Sequence, residues 1–300
     1  MTNKEFWKGI IPALLTPLKE DFSLDIDGLN RLLENNLNAG CEGIFVSGST
    51  GEPTNLTTQT WIDLVRETVK IVNGRIPICC GVICPGTAQT IEKIKVVEQL
   101  GIDFVSCTPN FYARNEYQED IVRHYEELAR KTTVKMMVYN NLDTTGVNIL
   151  AKTFFEISKI DNVIAYKDTR SDWENHLKVL AFLKDKDISL ISGGEYLIGA
   201  SFLMGSQGNI AAASNIFPKL FVALYKAAKA GDIDQTLDLS NKIATLNDIT
   251  RTGKSWLCGV KYAAQRLGLC QNHASGNVSQ LDDAARYKVD QIIEPLMIYR

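Results

Sequence analysis

Residues 43–83 read GIFVSGSTGEPTNLTTQTWIDLVRETVKIVNGRIPICCGVI. Two short apolar runs rich in β-branched residues, Gly43–Ser47 and Ile76–Ile83, flank a segment whose period changes. Over Thr58–Val72, Trp61, Leu64, Val65 and Val69 fall on one helical stripe. Each apolar run is too short for a free-standing helix and is bounded by Gly, Pro or Asn, as a strand is. Strand, helix, strand in that order reads as a parallel crossover unit.

The same rhythm extends in both directions. Further strand-like runs occupy Ile10–Leu15, Asp103–Cys107, Val134–Tyr139, Val163–Lys167, Ile188–Ile191 and Gly208–Ala213. Helical segments intervene. Asp27–Leu37 aligns Leu29, Leu32, Leu33 and Leu37; another helix opens at Thr87 and closes at Gly101; Gln118–Lys131 has acids early and bases late. Eight such runs predict an α/β fold, a (β/α)8 TIM barrel with a C-terminal helical region. An open doubly wound sheet that binds a dinucleotide needs G-x-G-x-x-G after an early strand, and Gly48-Ser49-Thr50-Gly51-Glu52 lacks that spacing. After the eighth run come helical segments Pro218–Ala230, ending at Gly231, then Ile233–Ile249, Lys254–Leu267 and Leu281–Met297. One helix completes a barrel. Residues 1–230 are therefore expected to form the barrel carrying the active site, and 231–300 a helical region packed on it.

Composition narrows the function. The 300 residues carry 32 Lys+Arg against 35 Asp+Glu, a net charge of −3, with no basic block, so no nucleic-acid partner is expected. No apolar stretch approaches a bilayer span, and Met1–Gly9 has no apolar secretion segment, so neither membrane nor export is expected. Seven cysteines without a C-x-x-C pair fit buried free thiols in the cytoplasm. Three scattered histidines argue against a histidine-rich metal site and leave only carboxylates to hold an ion.

Barrel chemistry collects at the C-terminal ends of the strands. There the sequence places Gly48-Ser49-Thr50-Gly51-Glu52, Tyr139-Asn140-Asn141, Lys167-Asp168-Thr169 and Ser192-Gly193-Gly194-Glu195. Burial disfavours a lysine's ammonium form, and a neutral amine is the nucleophile of Schiff-base chemistry. Lys167 has the position for it, although a strand-end lysine can equally be a surface or ion-paired one. Lys135 begins its strand and belongs at the opposite end. Tyr139 could pass protons in the same mouth, or be a core tyrosine at the rim. In the Gly48–Glu52 loop, glycines let the amides of Ser49 and Thr50 approach an anion, or simply meet a tight turn's need for positive φ.

These features, in this order, resemble the dihydrodipicolinate synthase/N-acetylneuraminate lyase superfamily of Schiff-base aldolases. The likeness runs from Gly9-Ile10-Ile11-Pro12-Ala13-Leu14-Leu15-Thr16-Pro17 through Gly48–Glu52, Tyr139 with Thr145-Gly146, Lys167-Asp168 and Ser192-Gly193 to Gly208-Asn209-Ile210, Asn215 and Pro218. It implies that Lys167 forms an imine with pyruvate or another 2-oxo acid, that Tyr139 shuttles protons, and that Ser49 and Thr50 bind the carboxylate and connect to the tyrosine. Gly48, Gly193, Ile210, through its backbone carbonyl, and Glu195 would line the pocket. It also implies an enzyme needing no metal or organic cofactor, assembled as a homotetramer or dimer.

The chain departs from the pattern at three points. Thr144 stands where the synthases carry an arginine that grips the second substrate's carboxylate, Leu142 replaces a proline, and Phe111 takes the register of a tyrosine that crosses between subunits, with Tyr112 next to it. Gly194-Glu195-Tyr196 also differs from the lyase branch. The expected function is a carbon–carbon lyase or aldolase acting on pyruvate or a 2-keto-3-deoxy or sialic acid-like acid, with an aldehyde partner that Thr144 and Tyr112 help to bind. The alternatives are a dihydrodipicolinate synthase with an altered clamp, a dehydratase or deaminase using the same imine, or a non-catalytic binding or sensor protein on the same barrel.

Overall fold

The computed structural model describes residues 1–113, 117–169, 172–276, 278 and 280–300. Its strands are β1 Gly9–Pro12, β2 Ile44–Val46, β3 Ile78–Gly81, β4 Phe104–Cys107, β5 Lys135–Asn140, β6 Val163–Asp168, β7 Ser189–Ser192 and β8 Gly208–Ala211. All ladders are parallel; β2 to β8 pair in chain order and β8 pairs with β1. The remaining seam is held by an Ala13–Phe45 bridge, with the Leu14 N–H donating to the Phe45 carbonyl at 2.9 Å and the Glu42 N–H to the Ile10 carbonyl at 3.0 Å. Each of the eight runs read from sequence overlaps its strand, and the fold is the expected (β/α)8 barrel.

The crossover helices follow local signals. Thr58–Val72 starts where the Thr57 side chain accepts from the Thr60 N–H and ends on Asn73 in the left-handed region. Gln118–Lys131 keeps Glu119 and Asp120 in its first turn and Arg130 and Lys131 in its last, complementing the helix dipole. Packing forms two layers. Inside the barrel lie Ile11, Phe45, Cys79, Phe104, Met137, Ala165, Ile191 and Ile210. The larger layer between sheet and helices contains Leu29, Leu32, Trp61, Leu64, Tyr125 and Phe154.

The bottom of the barrel carries an element that the sequence reading did not assign. Asn3–Phe6 is a short helix with a Thr2/Glu5 capping box. It sets the Phe6 and Trp7 rings 5.6 and 4.5 Å from that of Phe104, closing the inner layer from below. Lys135 lies at this end, its ammonium 5.4 Å from the Phe6 ring. All seven cysteines are buried and form no disulfide among the described residues, and burial pushes the Cys41 thiol up to about 12.

Beyond Gly231 the helices are Ile233–Asn247, Trp256–Arg266 and Asp283–Ile293, with 3₁₀ turns at Asp248–Arg251 and Glu294–Tyr299. The last helix is shorter than its apolar pattern. Asp282 caps it by accepting from the Ala285 N–H, and Pro295 stops the α-helical ladder. Among the described residues no helix is long and apolar enough to cross a membrane.

Candidate active site

A one-residue irregularity in the β5–β6 ladder orients the key lysine. Met136 pairs with Val163 but Met137 pairs with Ala165, so Ile164 is the extra residue. Ile164 and Ala165 both face the inner layer, and Tyr166 turns outward to stack on Phe154 at 4.2 Å. The alternation thus resumes with Lys167 pointing inward; without the shift it would face the helices. Lys167 is 4 % exposed, beside Tyr139 at 2 %. The two are register partners, and the Lys167 ammonium lies 4.0 Å from the Tyr139 ring centroid and 4.9 Å from that of Phe45.

The loop after β2 reaches the same point. Ser49–Gly51 forms a 3₁₀ turn, and the Ser49 hydroxyl lies 3.4 Å from the Tyr139 hydroxyl. Positive φ falls on Ser47 and Glu52 rather than on the loop's glycines. Gly48 answers a different need: a Cβ there would sit 2.3 Å from the Phe45 ring. Asn141 completes the cluster, donating to the Tyr139 hydroxyl at 2.9 Å and to the Ser49 hydroxyl at 3.4 Å.

These groups open into a cavity of about 290 Å³. Ser49, Thr50, Tyr139, Thr144, Lys167, Gly193, Glu195 and Ile210 all line it, with Gly48 adjoining through the turn. Burial pushes the Tyr139 phenol up, but the Lys167 charge and hydrogen bonds from Ser49, Thr169 and Lys167 outweigh it and leave the phenol below its ordinary value. Glu195 is held above the usual carboxylate range by burial, against the Ala212 N–H, which donates to it at 3.2 Å.

Sequence reasoning did not single out several lining residues. Asn141 and Thr169 stand in the strand-end stretches without an assigned role, and Asp143 lies two residues beyond one of them. Asn247, Thr250 and Trp256 also line the cavity, arriving from beyond the barrel proper, where no local pattern marks them. Tyr112 is not brought in. It is 93 % exposed and lines a different, larger cavity of about 720 Å³ with Trp61, Phe111 and Lys93. That cavity lies outside the strand-end cluster, so size does not identify the reactive site. Among the described residues no group of three or more His, Cys, Asp or Glu is placed to hold a metal ion.

The model of the dihydrodipicolinate synthetase family matches residues 6–296. The chain belongs to this family. The 4-hydroxy-tetrahydrodipicolinate synthase of Rickettsia prowazekii is 30% identical over 292 residues, covering 97% of this chain and 98% of that protein. The enzyme of the same name from Rickettsia canadensis is 29% identical over the same length. Among solved structures, the dihydrodipicolinate synthase of Bacteroides thetaiotaomicron superposes with a TM-score of 0.90 at 29% identity, covering 96% of this chain and 98% of that one. A monomeric dihydrodipicolinate synthase variant gives 0.91 at 25% identity, covering 96% of each. As a member of the dihydrodipicolinate synthetase family, the chain is a class I, Schiff-base lyase or aldolase.

Proposed function

We propose that this enzyme makes or cleaves a 2-keto-3-deoxy or sialic acid-like acid, with pyruvate as the three-carbon half and Lys167 as the imine-forming amine. The observation that carries this reading is the buried Lys167 amine set against the Tyr139–Ser49–Asn141 hydroxyl and amide cluster in one cavity. Lys167 Nζ adds to C2 of the 2-oxo acid and water leaves. The cationic imine nitrogen then accepts the electron pair released when a proton leaves C3, giving an enamine. C3 attacks an aldehyde carbon, and Tyr139 protonates the new alkoxide; cleavage runs the same steps backwards. Water then hydrolyses the imine. The scheme needs neither metal nor organic cofactor. Ser49 and Thr50 seat the substrate carboxylate, Gly48, Gly193 and the Ile210 carbonyl shape the pocket, and Glu195 faces the incoming carbon chain.

The far wall supports the sugar-derived class. Among the described lining residues, the charged side chains besides Lys167 are Asp143 and Glu195, both acidic. Thr144, Asn247, Thr250 and the indole of Trp256 offer hydroxyl, amide and a flat apolar face, which suits a neutral polyhydroxylated chain better than a second carboxylate. The names of the relatives favour a second reading, 4-hydroxy-tetrahydrodipicolinate synthesis with an altered clamp. Following pyruvate release from a panel of 2-keto-3-deoxy sugar acids, beside condensation of pyruvate with aspartate semialdehyde, decides between them. Turnover of the sugar acids alone supports the first; efficient condensation overturns it.

Buried thiols outside any disulfide support a cytoplasmic setting. The exposed Tyr112 supports assembly as a homodimer or homotetramer, with this ring against a second copy. Light scattering tests the assembly, and a monomer at working concentration would contradict it.

A further inference from the structure

Directly behind the Ser49–Gly51 turn lies a buried ion pair that the chemistry above does not use. Lys261, on the helix Trp256–Arg266, is fully buried and Glu52 is 5 % exposed. The Lys261 ammonium lies 2.5 Å from one Glu52 carboxylate oxygen and donates to the carbonyls of Thr16 at 3.0 Å and His273 at 2.5 Å. The other Glu52 oxygen accepts from the Ser275 N–H and hydroxyl, each at 2.6 Å. Thr16 closes the circuit by donating its hydroxyl to the Gly51 carbonyl at 2.7 Å.

Burying a lysine and a glutamate together carries a large desolvation cost, offset here by the close ion contact on one Glu52 oxygen, the two Ser275 donors on the other and the two carbonyls that accept from Lys261. Their place matters more than their strength. Glu52 holds a left-handed backbone conformation (φ 57°), and its N–H donates to the Ser49 carbonyl at 3.2 Å, closing the turn that presents Ser49 and Thr50 to the cavity. The carboxylate of Glu52 thus pins the end of that turn to the C-terminal helices.

We propose that Glu52 and Lys261 are positioning residues for the 2-oxo acid carboxylate. Through them the C-terminal helical region holds the Ser49–Thr50 turn at the spacing from Lys167 that the substrate needs. The proposal rests on the imine reading of Lys167. It separates binding from chemistry: neither residue lines the cavity, so loosening them weakens capture of the 2-oxo acid while leaving the amine and Tyr139 in place.

The test is borohydride trapping across a pyruvate series, which gives a half-saturating concentration and a limiting rate for each protein. E52Q/K261M removes both charges together. It should raise the half-saturating pyruvate concentration roughly tenfold and leave the limiting rate within about threefold. Amide hydrogen exchange over residues 48–52 should quicken in the same variant. Ser275→Ala, which keeps the ion pair and one of the two Ser275 bonds, should move the same constant in the same direction by about two- to threefold, and it serves if the double variant does not fold. Wild-type half-saturation in Ser275→Ala and in the folded double variant would overturn the positioning role while leaving the imine intact. Absence of any adduct in the unaltered protein would instead overturn the imine reading, and this proposal with it.

Discussion

Lys167 and Tyr139 face each other across the β5–β6 ladder, with the ammonium 4.0 Å from the phenol ring centroid. The ring and the hydroxyl of Tyr139 therefore have separable tasks. Tyr139→Phe keeps the ring under the amine and removes only the hydroxyl. Pyruvate should still add to Lys167, whereas kcat should fall about a hundredfold or more. Steady-state kinetics run beside adduct formation check this. A variant that lost both equally would place the hydroxyl in imine formation.

The same contact sets a titration. Burial raises the Tyr139 phenol, but the Lys167 charge and its hydroxyl partners bring it below the ordinary tyrosine value. Tyr139 should therefore be among the first tyrosines to ionise as pH rises. In tyrosinate absorbance, Tyr139→Phe should delete that early step. Lys167→Met should move it to higher pH, because the opposing charge is gone. An unchanged step in Lys167→Met would contradict the pairing.

Two buried histidines predict the acid limb of stability. Burial lowers both His124 and His176 to about 4, with the Thr108 carbonyl partly opposing this at His124. Below the ordinary histidine value of about 6.5 the unfolded chain takes up protons that the folded one refuses. The stability these histidines support is present above about pH 6.5 and lost as pH falls towards 4, on the order of 3 kcal/mol for each. Denaturant unfolding at a series of pH values measures the slope. His176→Gln, whose amide can still reach Ser201 and Ser206, should flatten it.

Much of this was legible in the sequence. The βαβ rhythm placed all eight strands because each run ends at Gly, Pro, Asn or Asp, and the strand-end rule brought Lys167, Tyr139, Ser49 and Glu195 to one mouth. What escaped was tertiary. The extra residue at Ile164, which turns Lys167 inward, leaves no mark in a run that is apolar on both faces. Asn247, Thr250 and Trp256 reach the cavity only through packing of a distant segment. Phe6 and Trp7 carry no periodic signal in sequence, and only their packing on Phe104 gives them a place at the barrel floor. Tyr112 was expected at the cavity and lies elsewhere within a single copy.

Thr144 tests the choice of second substrate. It lines the cavity, at the position where the resemblance to the synthases expects their carboxylate-gripping arginine. Thr144→Arg should raise condensation with aspartate semialdehyde about tenfold or more, since a bidentate charged contact is added. The same change should slow cleavage of a polyhydroxylated 2-oxo acid. Parallel assays of both reactions give the answer, and no gain in condensation would remove Thr144 from the selectivity argument.

The buried Glu52–Lys261 pair makes a stability prediction of its own. Lys261→Met alone strands a buried carboxylate and should cost about 3–5 kcal/mol. Adding Glu52→Gln should recover part of that loss. Denaturant melts of the two variants measure it, and a double variant less stable than Lys261→Met would contradict the pairing.

The account stands most directly on one covalent bond. Borohydride reduction with pyruvate, followed by intact and peptide mass measurement, should give a single reduced adduct on the peptide containing Lys167, absent in Lys167→Ala. An adduct on another lysine, or none with pyruvate or any other 2-oxo acid, would contradict it.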